Sequence, residues 1–295
     1  MSADEGIARY PARVSGDEPL GLIAGEGVFP LLVARGARAA GRRVVCAAFD
    51  GMADESLRNE VDAHKAVSFT RLASWARFLR KHGCREAIMV GRVKKNHLHQ
   101  RNELLWAVRQ VPDWTTFRAW WTVLRKDRRS ETALLTTARL LGEKGITLID
   151  STTYTKDQMA AAGTMGSLEP TEAQQADIER GWDVCGWATR QDVGQAVAVR
   201  GRDVLAIEAV EGTNAMIDRA ASLARGAAWT LVKRGNTRDD KRMDVPTIGT
   251  TTIEHLKAAG ATCLCVEAEQ VILLEKEKVL AAADAAGIAV VGRSD

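Results

Sequence analysis

Little in this chain invites disulfide, membrane-span or serine-hydrolase chemistry. Its five cysteines (Cys46, Cys84, Cys185, Cys263 and Cys265) are odd in number, contain no C-x-x-C pair and mostly sit in apolar, strand-like runs. They read as reduced, buried thiols of a cytoplasmic protein. Cys263 and Cys265 would share one strand face, but nothing beside them in sequence completes a metal site. No apolar run approaches the roughly 20 residues of a membrane span. The opening stretch MSADEGIARYPARVSGDE has no apolar signal core, so export is not expected. With no G-x-S-x-G, a Ser/His/Asp triad is unsupported. His97 and His99, in NHLH, lack the context of a phosphoesterase metal cluster.

What remains is a globular composition, 46% hydrophobic and 27% charged over 295 residues, enough for two domains with a core each. The net charge of +3 is small but unevenly spread. Between Arg71 and Arg129 fifteen Lys/Arg face four Asp/Glu, and five of the eight tryptophans (Trp75, Trp106, Trp114, Trp120, Trp121) fall there. Basic side chains interleaved with Trp suit an anionic lipid or phosphate surface. They would also suit nucleic acid, or a solvated basic face over a Trp-containing core.

Strand and helix signals alternate through the first half. LGLIA leads through a glycine turn into an amphipathic helix. Then follow the strand RRVVCAAFDG, the helix RLASWARFLRKHG, the strand EAIMVGRV, a long helical tract over 115–145 and the strand ITLID. Such alternation predicts a parallel sheet covered by helices, a Rossmann-like domain over 16–155. Periodicity lapses where Gly, Ser, Thr and Pro collect, which places a linker at 156–170. From 171 to 295 a second α/β domain is expected, with a mixed sheet. Its strands QAVAVRG and DVLAIEAVEG should form a hairpin, followed by a helix from Asn214 and the strand WTLVKR.

Three constellations could carry chemistry. Gly25 and Gly27 let backbone approach a ligand, and Pro30 suits the first turn of the helix whose free N–H groups favour an anion. Asp50 ends the next strand, roughly where a Rossmann acid would hold a ribose hydroxyl. Pro30 stands where the dinucleotide fingerprint has its third glycine, which points away from a redox coenzyme. Next, Glu211, Gly212 and Thr213 lie between a buried strand and a helix, with Thr213 as the expected N-cap. This turn either offers amides and a hydroxyl to a phosphate or merely caps the helix. Third, Asp240, Arg242 and Asp244 alternate in the polar segment RDDKRMDVPTIG and would project to one side of an extended loop. Two carboxylates so spaced can hold Mg2+, and Arg242 between them offers a fork to phosphate. A solvated charged loop is the plainer alternative.

GLIAGEGVFP, VGRV, SETALL, IEAVEGTNAMIDRA, DDKRMDVPTIGTTTIEHLKAAG and VEAEQVILLEKEKV, in that order, resemble the UDP-2,3-diacylglucosamine pyrophosphatases of lipid A biosynthesis. This is the two-domain type unrelated to calcineurin-like phosphoesterases. The resemblance runs from about Pro19 to the end. It implies Mg2+-dependent hydrolysis of UDP-2,3-diacylglucosamine to UMP and 2,3-diacylglucosamine 1-phosphate, by water attacking the sugar-side phosphorus, with substrate enclosed between the domains. It further implies Asp244 as the essential acid, with Asp240 and Arg242 beside it in catalysis. Asp244, Asp240 and Glu211 become the expected metal ligands. The expected substrate contacts are Gly25, Gly27, Asp50, Glu211, Gly212, Thr213, Asn214, Thr132 and Lys233. Two positions depart from the family pattern: Asn214 stands where E-G-T-D has its acid, and Glu131–Thr132 where D-D-A-L-L begins. The partners expected are a lipid-linked UDP-sugar and, transiently, the inner-membrane surface. No nucleic acid is expected, and a homodimer is left open. The rivals are a nicotinamide-dependent oxidoreductase, suggested by strand–GxG–helix with Asp50, and a non-catalytic nucleotide-sugar or lipid-binding protein.

Overall fold

The computed structural model describes residues 18–93, 111–127, 130–235, 242 and 245–295. The chain divides into two compact units, Met1–Ile149 and Asp150–Asp295. No helix among the described residues is long and apolar enough to cross a membrane.

In the first unit β1 (Leu20–Ala24), β2 (Val44–Phe49), β3 (Ala63–Val67), β4 (Glu86–Val90) and β5 (Thr147–Leu148) form one sheet in the order β3-β2-β1-β4-β5. Every pairing is parallel. The central strands β1 and β2 are buried at every residue, as a parallel sheet covered on both faces demands. Helices α1 (Phe29–Ala39), α2 (Leu57–Glu60) and α3 (Leu72–Lys81) connect the strands. Pro30 sits in the first turn of α1, where its missing N–H leaves no bond unmade. Trp75 and Leu79 of α3 pack into one apolar cluster with Ile23, Val45 and Phe49, and the Trp75 and Phe49 rings stand 5.0 Å apart. This is the Rossmann-like arrangement expected. The helical tract over 115–145 is not one helix, however. It comprises α4 (Trp114–Ala119), a π-helical turn over Trp120–Leu124, and α5 (Ser130–Glu143).

The second unit is built on a six-stranded mixed sheet. Its strands are β6 (Gly163–Thr164), β7 (Ala196–Arg200), β8 (Asp203–Ile207), β9 (Trp229–Lys233), β11 (Ala261–Glu267) and β13 (Ala289–Arg293). They lie in the order β6-β13-β11-β9-β7-β8, while β10 (Thr247–Ile248) and β12 (Ile272–Leu273) form a separate parallel pair. The expected hairpin is β7–β8, paired antiparallel. Side chains alternate across the sheet as the strand period requires. Val197, Val199, Val232, Cys263 and Cys265 join Ile178 and Trp182 of α6 (Glu172–Arg190) on one face. Ala196, Ala198, Leu231, Leu264 and Val266 face the other way. There they meet Met216 and Ile217 of α7 (Thr213–Ala224), Ile253 and Leu256 of α8 (Thr250–Ala258) and Val279 of α9 (Lys276–Ala286).

The segment 156–170 belongs to this unit and is not a free linker. Ala160 N–H donates to the Val271 carbonyl and Met165 N–H to the Val290 carbonyl, both at 2.9 Å, and β6 pairs antiparallel with β13. Backbone pairing, invisible to composition, moves the division between units to Ile149/Asp150.

Candidate functional site

Each sheet carries expected site residues at its carboxyl edge. In the first unit the order β3-β2-β1-β4-β5 reverses direction between β1 and β4, the position where open α/β sheets bind ligands. Gly25 follows β1 and Gly91 follows β4, and their backbones touch. A Cβ on Gly25 would lie 2.7 Å from the Arg92 oxygen, and one on Gly91 2.6 Å from the Gly25 carbonyl carbon. Glu26 and Arg92 then exchange backbone hydrogen bonds of 2.9 Å. The contact made at Gly25 is therefore internal to the unit. Gly27 differs: its φ is +106° and the space beside its Cα is open. Asp50 is half-buried at the end of β2, and its N–H donates to the Val67 carbonyl at 3.0 Å. Thr132, on α5, donates its hydroxyl to Asp127 at 2.7 Å. The nicotinamide reading rests on the glycine spacing together with Asp50, and backbone packing against Gly91 gives Gly25 a reason internal to the unit.

The carboxyl edge of the second sheet is made of charged side chains. Lys233, the last residue of β9, is buried and donates to the Thr213 hydroxyl at 3.2 Å. That hydroxyl donates in turn to Glu208 Oε1 at 2.6 Å. Glu208 leaves β8 directly after Ile207 and is fixed by its own N–H, which donates to the Ala196 carbonyl at 2.8 Å. Its second oxygen, Oε2, is buried with no hydrogen-bond partner among the described residues. A buried carboxylate oxygen in that state favours a cation or a hydrogen-bond donor supplied from outside.

The sequence reading pointed to Glu211 in this role. The structure turns Glu211 to Arg219, at 2.5 Å. A hydrogen bond from its own backbone amide, followed by those of Arg219, holds its carboxyl below the usual carboxylate range. The N-cap of α7 is Gly212, with φ +83°, and not Thr213, whose hydroxyl is spent on Glu208. Asn214 is exposed on the first turn of α7.

Asp240 and Asp244 lie outside the described residues, while Arg242 is described and half-buried. The stretches that flank the 236–244 segment are both anchored. At its start, the buried Arg234 is held by Glu267 at 3.1 Å and Asp295 at 2.6 Å, and stacks 4.1 Å over the Trp182 ring. Burial opposes the Arg234 charge, but the two carboxylates outweigh it and raise its pKa. Glu267 also accepts the Gly235 N–H at 2.8 Å. At the far end, Pro246 gives its carbonyl to Ile272 N–H at 2.9 Å and the chain enters β10 against β12. The charged 236–244 segment is thus flanked by two anchored stretches of one unit, one of them beside Lys233.

Among the described residues no three His, Cys, Asp or Glu gather into a metal cluster. The thiols supply none: all five cysteines are buried, and burial raises the Cys263 pKa to about 12. Glu208 Oε2 is a carboxylate oxygen of the kind that a hard cation takes, and one or two such donors suffice for an ion like Mg2+.

Residues 19–158 match the family described as the LpxI N-terminal domain, and residues 161–291 that described as the LpxI C-terminal domain. Over 283 residues the chain is 31% identical to the UDP-2,3-diacylglucosamine pyrophosphatase LpxI of Caulobacter vibrioides, an alignment spanning 92% of this chain and 96% of that protein. With both halves matched in order, the chain belongs to the LpxI family.

Proposed function

We propose that this protein is a diphosphatase that hydrolyses UDP-2,3-diacylglucosamine to UMP and 2,3-diacylglucosamine 1-phosphate with the help of Mg2+. The observation that carries the reading is a chain of groups, Glu208 to Thr213 to Lys233, beside the anchored segment that bears Asp240, Arg242 and Asp244. Family membership over both halves supports it. Lys233 and Arg242 balance the charge of the diphosphate, and the Arg242 fork suits two phosphate oxygens. Thr213 orients the Lys233 ammonium, and Glu208 fixes the hydroxyl that does so. Asp244 and Asp240, with Glu208 in place of the Arg219-paired Glu211, would hold Mg2+, which would withdraw charge from the phosphate oxygens and lower the pKa of water. Asp244 orients the attacking water toward the sugar-side phosphorus. Gly27 and the amides opening α1 serve the nucleotide, with Asp50 toward its ribose.

The test is direct. Purified protein incubated with UDP-2,3-diacylglucosamine and Mg2+ is expected to release UMP and the 1-phosphate, and a chelator should stop it. Asp244→Ala should lower the rate by at least about 100-fold, the usual cost of losing a group aimed at developing charge. Equal UMP release by the wild type and this variant would remove Asp244 from the mechanism. No release by either would favour the non-catalytic binding protein.

A further inference from the structure

A group of aromatic rings in the first unit stands outside the site just described. Trp114, Phe117, Trp120 and Trp121 are exposed to 74%, 41%, 43% and 52% of their surface. Their rings form one contiguous patch. Phe117 lies 5.8 Å from Trp114, 6.5 Å from Trp120 and 6.2 Å from Trp121, and the two adjacent tryptophans are 6.3 Å apart. Trp120 and Trp121 follow Phe117 by three and four residues, the two spacings that set helical side chains side by side, so both rings lie next to it. A π-helical turn over Trp120–Leu124, closed by Arg125 N–H donating to the Trp120 carbonyl at 2.9 Å, continues directly from α4.

The patch is held rigidly from behind. Asp113 caps α4 through Thr116 N–H at 2.9 Å and also accepts Ala73 N–H at 2.7 Å, tying α4 to the start of α3. Ala119, on the opposite face from the rings, is buried in the core of the unit. The side that stays outside is cationic as well as aromatic. Arg118, Arg125 and Lys126 are exposed, and Arg125 stacks 4.4 Å over Trp121. The two acids of the stretch are turned to internal bonds, Asp113 as above and Asp127 accepting from Thr132. Four exposed rings with a fringe of cations match the interfacial layer of an anionic bilayer, where indole rings settle at the headgroups and Lys/Arg meet phosphate.

We propose that Trp114, Phe117, Trp120 and Trp121, flanked by Arg118, Arg125 and Lys126, dock this protein on an anionic phospholipid surface. The docking deepens the reading of a lipid-linked substrate, since it would hold the enzyme at the surface where such a substrate resides, but it does not require turnover. Sedimentation of the full chain with phosphatidylcholine vesicles, with and without phosphatidylglycerol, tests it. Wild type should bind the anionic vesicles, less so as salt rises, and its tryptophan emission should shift to the blue. Trp114→Ala/Trp121→Ala should weaken binding at least about tenfold, and Arg118→Glu/Arg125→Glu should abolish the preference for phosphatidylglycerol. Both variants should retain the wild-type unfolding temperature and the wild-type rate of UMP release from substrate presented in detergent micelles. Equal vesicle binding by wild type and variants would overturn the proposal. Self-association of the wild type that the Trp variant abolishes would assign the patch to a second copy instead. A parallel fall in micellar turnover would assign it to the substrate site.

Discussion

At the carboxyl edge of the first sheet the chain sets backbone against backbone, Gly25 on Gly91 and Glu26 on Arg92, whereas at the same edge of the second it sets charge against charge, Glu208 toward Lys233 through Thr213 and Glu267 against Arg234. At the first edge the N–H groups of Gly25, Glu26 and Arg92 are all taken by backbone carbonyls, so the contact is one of packing. At the second, the charges are pinned by hydrogen bonds and ion pairs to fixed partners. A lesion at the first edge should act through packing, and one at the second through electrostatics.

The largest effect expected is at Glu267. Glu267→Ala leaves the buried Arg234 with the exposed Asp295 as its one carboxylate partner among the described residues, and removes the acceptor of Gly235 N–H. Breaking such a pair by deleting one partner costs about 3–5 kcal/mol. Thermal unfolding should fall by roughly 10 °C in the second unit. An unchanged unfolding temperature would mean that Asp295 alone satisfies the guanidinium. The packing counterpart is Gly91→Ala. Its Cβ would meet the Gly25 backbone at a φ of +96°, combining overpacking with left-handed strain for roughly 2–4 kcal/mol. Gly27→Ala, with positive φ but open space, should cost only about 1–2 kcal/mol of stability. If both glycines tolerate alanine equally, the close approach of β1 and β4 is not what selects them.

Much of this was legible in the sequence, for reasons that differ by element. The fully buried strands β1, β2 and β9 announce themselves as apolar runs, and Gly83 and Gly145 mark the turns before β4 and β5. By contrast β3, with sequence AHKAV, carries no strand signal. It is an edge strand with a single buried residue, so burial never wrote a pattern into it. β6, two residues long, is defined only by its pairing with β13. Glu208 stands outside the E-G-T turn, which points to Glu211. The available signal was positional: an acid immediately after a strand, at the edge where parallel strands carry their loops. Which of two carboxylates three residues apart turns inward depends on where β8 ends, a boundary sequence fixes poorly. Asp240 and Asp244 fall outside the described residues, so their roles stand on the sequence and the proposal.

Glu208→Gln keeps the shape but removes the charge that Thr213 reports to Lys233. UMP release should drop about 10- to 100-fold, equivalent to roughly 1.4–2.7 kcal/mol of barrier. Raising Mg2+ should recover part of the rate if Glu208 is a ligand. A rate within twofold of wild type would return Glu208 to a purely structural role.

Glu211→Gln is the smallest lesion and the cleanest control. Its carboxylate is bound by Arg219 on the surface, so its loss should leave UMP release within about twofold of wild type, as for most exposed ion pairs. Because the folded-state pKa of Glu211 is lowered, its contribution is complete above the ordinary carboxylate range. That contribution disappears as pH falls through the lowered value. Wild type and variant should therefore diverge slightly in unfolding temperature near neutral pH and converge in acid. A loss of turnover at neutral pH as large as that of Glu208→Gln would mean that Glu211 leaves Arg219 when substrate and Mg2+ arrive, and that the charged edge is assembled by the ligand instead of being built beforehand.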